Sequence, residues 1–224
     1  MGLTAEAVKT ERKNTAMKRN LRTILVILMS VSLMMLAGCG GGGSAEPETA
    51  EPETAQTEGI GIHHAEIDIA DYGTVSLELD GDTAPVTVQN FMDLANSGFY
   101  DGLTFHRIID GFMIQGGDPN GNGTGGSGNN IVGEFSANGY ENNIEHVKGV
   151  ISMARAQDPD SASSQFFIMV ADSPYLDGQY AAFGHVTSGQ EIVDKIAADA
   201  QPLDDNGTIA PEDQPIITTI RIID

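Results

Sequence analysis

The chain predicts a mainly β fold, a closed barrel capped by two helices, on three observations. Short apolar runs recur between loops rich in Gly, Asn, Asp and Ser. Only two segments switch from the strand period to the helical one. Those two helices do not alternate with the strands as crossover units do, so strands that return on themselves are favoured over parallel βαβ repeats.

Ordered structure is expected to begin near Ile60. Two alternating runs, Ile62 to Ile69 and Thr74 to Leu79, flank a turn at Asp71 to Gly73 and read as a hairpin. The period then changes. Val88, Phe91, Leu94 and Ala95 fall on one helical face, Pro85 suits the first turn and Gly98 the C-terminal cap, which predicts a helix from about Pro85 to Ser97. Further apolar runs follow at Phe105 to Ile109, Phe112 to Gln115, Val150 to Ala154, Phe166 to Val170, Ala182 to Val186 and Ile216 to Ile223. A second helix fits Gln190 to Ala198, with Ile192, Val193, Ile196 and Ala197 inward.

With 224 residues the chain holds one domain of ordinary size and has no room for two comfortable ones. Its net charge of −21 and pI near 4.3 repel phosphate backbones, and no Lys/Arg cluster beyond the first 22 residues offsets that, so nucleic acid is excluded as a partner. The single cysteine, Cys39, rules out disulfides within the chain, Cys-based metal sites and dithiol redox chemistry.

That cysteine has a context. Lys18, Arg19 and Arg22 precede an apolar run from Ile24 to Met35, and small residues then lead to Cys39. A membrane-spanning helix needs about 20 apolar residues, and this run is shorter. The stretch LAGC, Leu36 to Cys39, resembles the lipobox of bacterial lipoproteins, in which the cysteine is lipidated on sulfur and becomes the new N-terminus. Residues 1–38 therefore read as an extension and signal peptide, with Met17 a plausible start. Residues 39–59 contain GGGGS and AEPETAEPETA, which have almost nothing apolar to bury and read as a solvated tether. Residues 60–224 form the domain. A location at the bacterial cell membrane, lipid-anchored with the domain on the extracytoplasmic side, follows from that resemblance.

Several motifs fail on inspection. Gly121, Gly123 and Gly126 satisfy GxGxxG, but a dinucleotide loop must open a helix and the Gly/Asn run through Asn130 cannot. The same loop mimics the start of a calcium loop at Asp118, Asn120 and Asn122, yet its twelfth position is Asn129 instead of a bidentate Glu. It reads as a long surface connection that could line a groove. The five histidines lack ligand spacing, and no metal or other cofactor is expected.

One residue stands out. Arg107 sits among Phe105, Ile108, Ile109, Phe112, Met113 and Ile114, in a region from Ile60 onward that has only five Lys/Arg against twenty-five Asp/Glu. It either pairs with one of those carboxylates or faces a ligand. Gln115 and Gln165 lie beside aromatic residues. Each is equally a hydrogen-bonded core amide or part of a binding groove.

The blocks FHRIIDGFMIQGGD, GVISMARA, SSQFFIMVADSPYLDG and YAAFGHV, in this order and spacing, resemble the signature of the cyclophilin-type peptidyl-prolyl cis-trans isomerases. The resemblance spans about Tyr72 to Ile223. It implies an eight-stranded antiparallel β-barrel capped by two helices, with an outer groove for an X-Pro peptide. It implies catalytic roles for Arg107, Gln115 and Phe112, and substrate contacts from Met113, Ala154, Arg155, Gln165, Phe167, Tyr175, Leu176 and Tyr180. Three positions depart from the family. Arg155 stands where an Asn is common, a change expected to matter little because the family uses mainly the backbone there. Tyr175 replaces the Trp of animal members and Tyr180 their His, which keeps an aromatic wall. The expected partners are proline-containing polypeptides in the course of folding, the membrane through the anchor, and cyclosporin, bound weakly. A non-catalytic proline-peptide scaffold at the membrane surface is the alternative function.

Overall fold

A computed structural model describes residues 60–224. The stretches expected to be signal peptide, lipobox with Cys39 and tether lie outside those residues. Eight strands and two α-helices follow in the order β1 (Ile62–Ile69), β2 (Gly73–Asp80), α1 (Pro85–Asn96), β3 (Phe105–Ile109), β4 (Met113–Gly116), β5 (Val150–Met153), β6 (Phe166–Met169), β7 (Ala182–Ser188), α2 (Gln190–Asp199) and β8 (Ile217–Ile222). Each expected element is present, displaced at its ends by two residues at most. No helix among the described residues is long and apolar enough to cross a membrane.

All the strand pairs are antiparallel, and the sheet runs β3-β4-β6-β5-β7-β2-β1-β8. The sheet is curled, with two helices, but the expected closed ladder is not complete. Between the end strands β3 and β8 there is only an isolated bridge, Thr104↔Ile216, with bonds such as Phe105 N–H to Pro215 O at 3.0 Å beside it. Pro215 has no N–H to return, which interrupts a continuous ladder there.

The β1–β2 turn forms where the alternation predicts it. Asp71, the one non-glycine at positive φ among the described residues (66°), supplies the left-handed step, which short polar side chains tolerate. The first turn of α1 is satisfied from a distance. Buried Glu134 accepts from Val86 N at 3.1 Å and from Thr87 N at 2.8 Å, so its negative charge also sits at the positive end of the helix.

Two apolar layers explain why β5 and β6 read as continuous apolar runs. Ile114, Ile151, Phe166 and Ile168 face the main core, where Phe166 meets Phe91 and Tyr100 edge-on at 5.6 Å. Their neighbours Met113, Val150, Phe167 and Met169 point the opposite way, into a second cluster with Leu176 and Ala182. A strand buried on both faces loses the alternation of a half-solvated one. The second cluster is the floor of the candidate site.

Candidate active site

Arg107 and Gln115 are directly opposed across the β3–β4 ladder, and Gln115 is in turn opposed to Phe167 on β6. Pairing thus sets three side chains in a row on the outer face. The Arg107 Nη1 donates to Gln115 Oε1 at 3.1 Å, Gln115 Nε2 to Gln165 Oε1 at 2.9 Å, and Gln165 Nε2 to Gly125 O at 2.8 Å. Both glutamines are therefore groove residues wired to the arginine.

The other edge of the guanidinium is held by the backbone. Arg107 Nε donates to Asn206 O at 2.8 Å. Asn206 is placed by a tight turn whose next residue is Gly207, at φ 85°, where an added Cβ would lie 2.5 Å from Ile109 Cγ1. Only glycine fits both that backbone conformation and that approach.

Of the five cations among the described residues, Lys148, Lys195 and Arg221 form ion pairs with carboxylates. Arg107 and Arg155 form none, and both are in the site. Burial pulls the Arg107 pKa below the ordinary arginine value while Tyr180, Asp204 and Tyr175 pull it back, and a guanidinium in that range stays charged. Its Cζ stands 6.0 Å from the Phe112 ring centroid, which leaves a cation over an apolar cavity with only neutral acceptors around it.

That cavity, of about 150 Å³, is lined by Arg107, Phe112, Met113, Gln115, Ala154, Arg155, Phe167, Leu176 and Tyr180. Nine of the eleven expected groove residues are there. Gln165 lines an adjoining groove of about 410 Å³ together with Gly123, Thr124, Gly125 and Gly126. The glycine-rich loop thus does line a groove. It is held by Asp118, whose carboxylate accepts from Asn120 N at 2.8 Å, Asn122 N at 3.1 Å and Gly123 N at 2.6 Å. Burial raises the Asp118 pKa, and the backbone N–H bonds outweigh it and leave it lowered.

Tyr175 lies outside the cavity. It is 62% exposed, and its ring is tilted against Phe112 at 6.0 Å. Tyr180 is in the wall, edge-on to Phe167 at 5.9 Å.

Arg155 departs from the expectation that its side chain matters little. Its guanidinium sits over both the Tyr180 ring (4.8 Å) and the Phe135 ring (5.0 Å), and donates to Gln179 O from Nε at 3.0 Å and from Nη2 at 2.8 Å. The side chain holds the aromatic wall. Sequence reading also missed Asn206 and Gly125, which act through backbone carbonyls and carry no side-chain signal. A turn-forming Asp-Asn-Gly at residues 205–207 was the only trace of the first.

Among the described residues no three His, Cys, Asp or Glu side chains converge as metal ligands. The site offers two guanidiniums, Arg107 and Arg155, an amide relay and an apolar cup. It can bind an apolar ring and donate hydrogen bonds beside it.

Known proteins resemble this chain in sequence and fold. The sequence model of the family described as "Cyclophilin type peptidyl-prolyl cis-trans isomerase/CLD" matches residues 64–222. "Peptidyl-prolyl cis-trans isomerase-like 1" of Rhizopus delemar is 46% identical over 125 residues, 55% of this chain and 74% of that protein. "Peptidyl-prolyl cis-trans isomerase B" of Bacillus subtilis is 48% identical over 124 residues, 55% of this chain and 83% of that one. A crystal structure of a Cryptosporidium parvum cyclophilin type peptidyl-prolyl cis-trans isomerase, in the presence of the dipeptide Ala-Pro, superposes with a TM-score of 0.63 at 32% identity, covering 72% of this chain and 99% of that one.

Proposed function

The chain belongs to the cyclophilin-type peptidyl-prolyl cis-trans isomerases, and we propose that it turns X-Pro bonds by stabilising the twisted amide without covalent chemistry, on extracytoplasmic proteins as they fold. An X-Pro bond isomerises over tens to hundreds of seconds, because amide resonance is lost at the top of a barrier of about 20 kcal/mol. Nothing need be made or broken. Each 1.4 kcal/mol by which the groove prefers the twisted form is about tenfold in rate.

The observation that carries the mechanism is the unpaired Arg107 at the mouth of an apolar cup. Phe112, Met113, Phe167 and Leu176 take the proline ring by apolar contact. The guanidinium donates to the carbonyl on the carboxyl side of the proline and toward the amide nitrogen, whose lone pair becomes an acceptor only as the amide twists. Gln115 and Gln165 fix the direction of that donation.

Lipid anchoring through Cys39 at a bacterial membrane, with residues 40–59 as tether, is part of the same proposal. It is supported by the charged, apolar and small-residue succession that ends in LAGC.

The test is a protease-coupled assay of a short X-Pro peptide with a fragment beginning at Ile60 and with its Arg107→Ala variant. We expect turnover from the fragment and a loss of at least about a hundredfold in the variant, about 3 kcal/mol, with the circular dichroism spectrum retained. Unchanged turnover in a folded variant removes the arginine from the mechanism.

A further inference from the structure

The groove beside the cup differs from it in chemistry. Its volume is about 410 Å³, and neutral polar side chains, Thr124, Asn130, Ser161 and Ser163, line it. Arg155 is the one charged side chain among the described residues that line it. From Ile60 onward the chain carries twenty-five Asp/Glu against five Lys/Arg, so a cavity with a cation in its wall and no carboxylate is an exception on this surface.

Arg155 is fixed in place without being neutralised. Nε and Nη2 donate to Gln179 O at 3.0 and 2.8 Å, and Nη1 donates to Ala156 O at 2.9 Å and to Gln157 O at 3.3 Å. All three acceptors are backbone carbonyls, which aim the group and leave its charge. A guanidinium carries five N–H bonds, so one on Nη2 has no acceptor among the described residues. The Tyr180 and Phe135 rings, 4.8 and 5.0 Å from Cζ, cover part of the guanidinium and weaken its screening by water. The carboxylates that follow in the chain are occupied elsewhere. Asp158 accepts from Asp160 N at 3.0 Å, and Asp160 accepts from Gly133 N at 3.0 Å and from Asn138 Nδ2 at 2.8 Å. Neither lines the groove.

The position of the groove decides which part of a peptide it meets. The relay from Arg107 passes through Gln115 and Gln165 to Gly125 O, and Gly125 lines the groove. Gln115, Ala154 and Arg155 line cup and groove alike. With the Arg107 guanidinium at the carbonyl on the carboxyl side of the proline, the far end of the relay meets residues on the amino side.

We propose that Arg155 is a specificity-determining residue that draws an acidic side chain, on the amino side of the X-Pro bond, into the carboxylate-free groove. The inference rests on the groove reading above and adds a substrate class to it, X-Pro segments with an Asp or Glu close before the proline. The overall charge of the domain repels acidic peptides, so the local contact acts against the long-range field. Selection is therefore read as a ratio between side chains of equal shape, Glu and Gln, in place of an absolute rate.

The experiment measures kcat/KM of the full-length protein on X-Pro peptides that carry Glu, Gln or Lys at each of the two positions before the proline. At one of those positions Glu should exceed both Gln and Lys, by about three- to fivefold over Gln, the worth of one partly exposed ion pair. Arg155→Met keeps the apolar length over the rings and removes the charge, and it should bring the Glu/Gln ratio to one or below, whatever it does to the rate itself. Arg155→Lys should keep most of the ratio. If Arg155→Met does not fold, Arg155→Gln carries the same readout. Equal rates for Glu and Gln in the parent overturn the proposal, as does the order Lys, Gln, Glu that overall charge dictates, or an undiminished ratio in Arg155→Met. In each of those cases a collapse of turnover in Arg107→Ala leaves the groove reading standing. Unchanged turnover in Arg107→Ala overturns that reading and this inference with it.

Discussion

The guanidinium of Arg107 donates to Gln115 Oε1 at 3.1 Å across the β3–β4 ladder, and Gln115 Nε2 in turn donates to Gln165 Oε1 at 2.9 Å. The arginine is therefore aimed by neutral acceptors. A carboxylate in place of Gln115 would hold it more tightly and also cancel the charge that the amide is to feel. Removing the acceptor should misdirect the donor. Gln115→Ala is expected to lower kcat/KM by roughly ten- to a hundredfold, the cost of one hydrogen bond to a charged group, about 1.5–3 kcal/mol. Gln165→Ala, one step further away, should cost less. Equal losses in both, measured on one X-Pro peptide, would count against a relay that starts at the arginine.

Tyr175 leans on Phe112 from outside the cup and is 62% exposed. In animal family members a Trp there offers a larger apolar face and an indole donor to cyclosporin, whereas this chain contains no Trp. Losing one buried hydrogen bond and some aromatic contact is worth about 1–3 kcal/mol, roughly one to two decades in affinity. Tyr175→Trp should tighten cyclosporin by that factor and leave peptide turnover within a few fold. Titration of both proteins in the isomerase assay decides it, and equal, tight inhibition of the two would refute the assignment.

His106 is buried beside Arg107, and neither of its ring nitrogens has a hydrogen-bond partner in the described structure. Its pKa is lowered, chiefly by burial, with Asp118 raising it and Arg107 lowering it further. A folded-state pKa below the unfolded value of about 6.5 means that the neutral ring's contribution is complete above about pH 6.5 and is lost as the pH falls below it. The stability of the parent relative to His106→Gln should be constant above pH 7. Between pH 6.5 and the lowered pKa it should decline by up to about 1.4 kcal/mol per pH unit. Urea unfolding of both proteins across pH 5–8 measures it; parallel curves would show that the ring gains no proton on unfolding.

If Cys39 carries the proposed lipid anchor, Cys39→Ala should release the protein from membranes into the soluble fraction or block its processing, because the sequence holds no other thiol for acylation. Membrane fractionation reads the outcome. A variant that fractionates and migrates like the parent would show that Cys39 carries no anchor.

The elements were legible from local patterns, because period 2 and period 3.6 are written in adjacent residues. The hairpin around Asp71 and the helix from Pro85 each follow from a stretch short enough to carry its own backbone preferences. Arg107 was legible as an anomaly, and the four signature blocks turned that anomaly into a groove. What surrounds Arg107 was not. Its Nε is held by a carbonyl 99 residues away, Gln165 is held by Gly125 across 40 residues, and His146 reaches Asp177 across 31. Such contacts come into being only when the strand order brings β4 beside β6 and the loops close over them, and a backbone carbonyl leaves no residue-type signature to read in advance. The Arg155 side chain makes the same point. Residue type alone showed a substitution at a backbone contact, whereas the rings of Phe135 and Tyr180, 20 and 25 positions away in the chain, converge on its guanidinium only in the folded domain. Nor could eight apolar runs reveal that β3 and β8 meet through a single bridge, since that depends on how far the sheet curls and on where Pro215 withholds its missing donor.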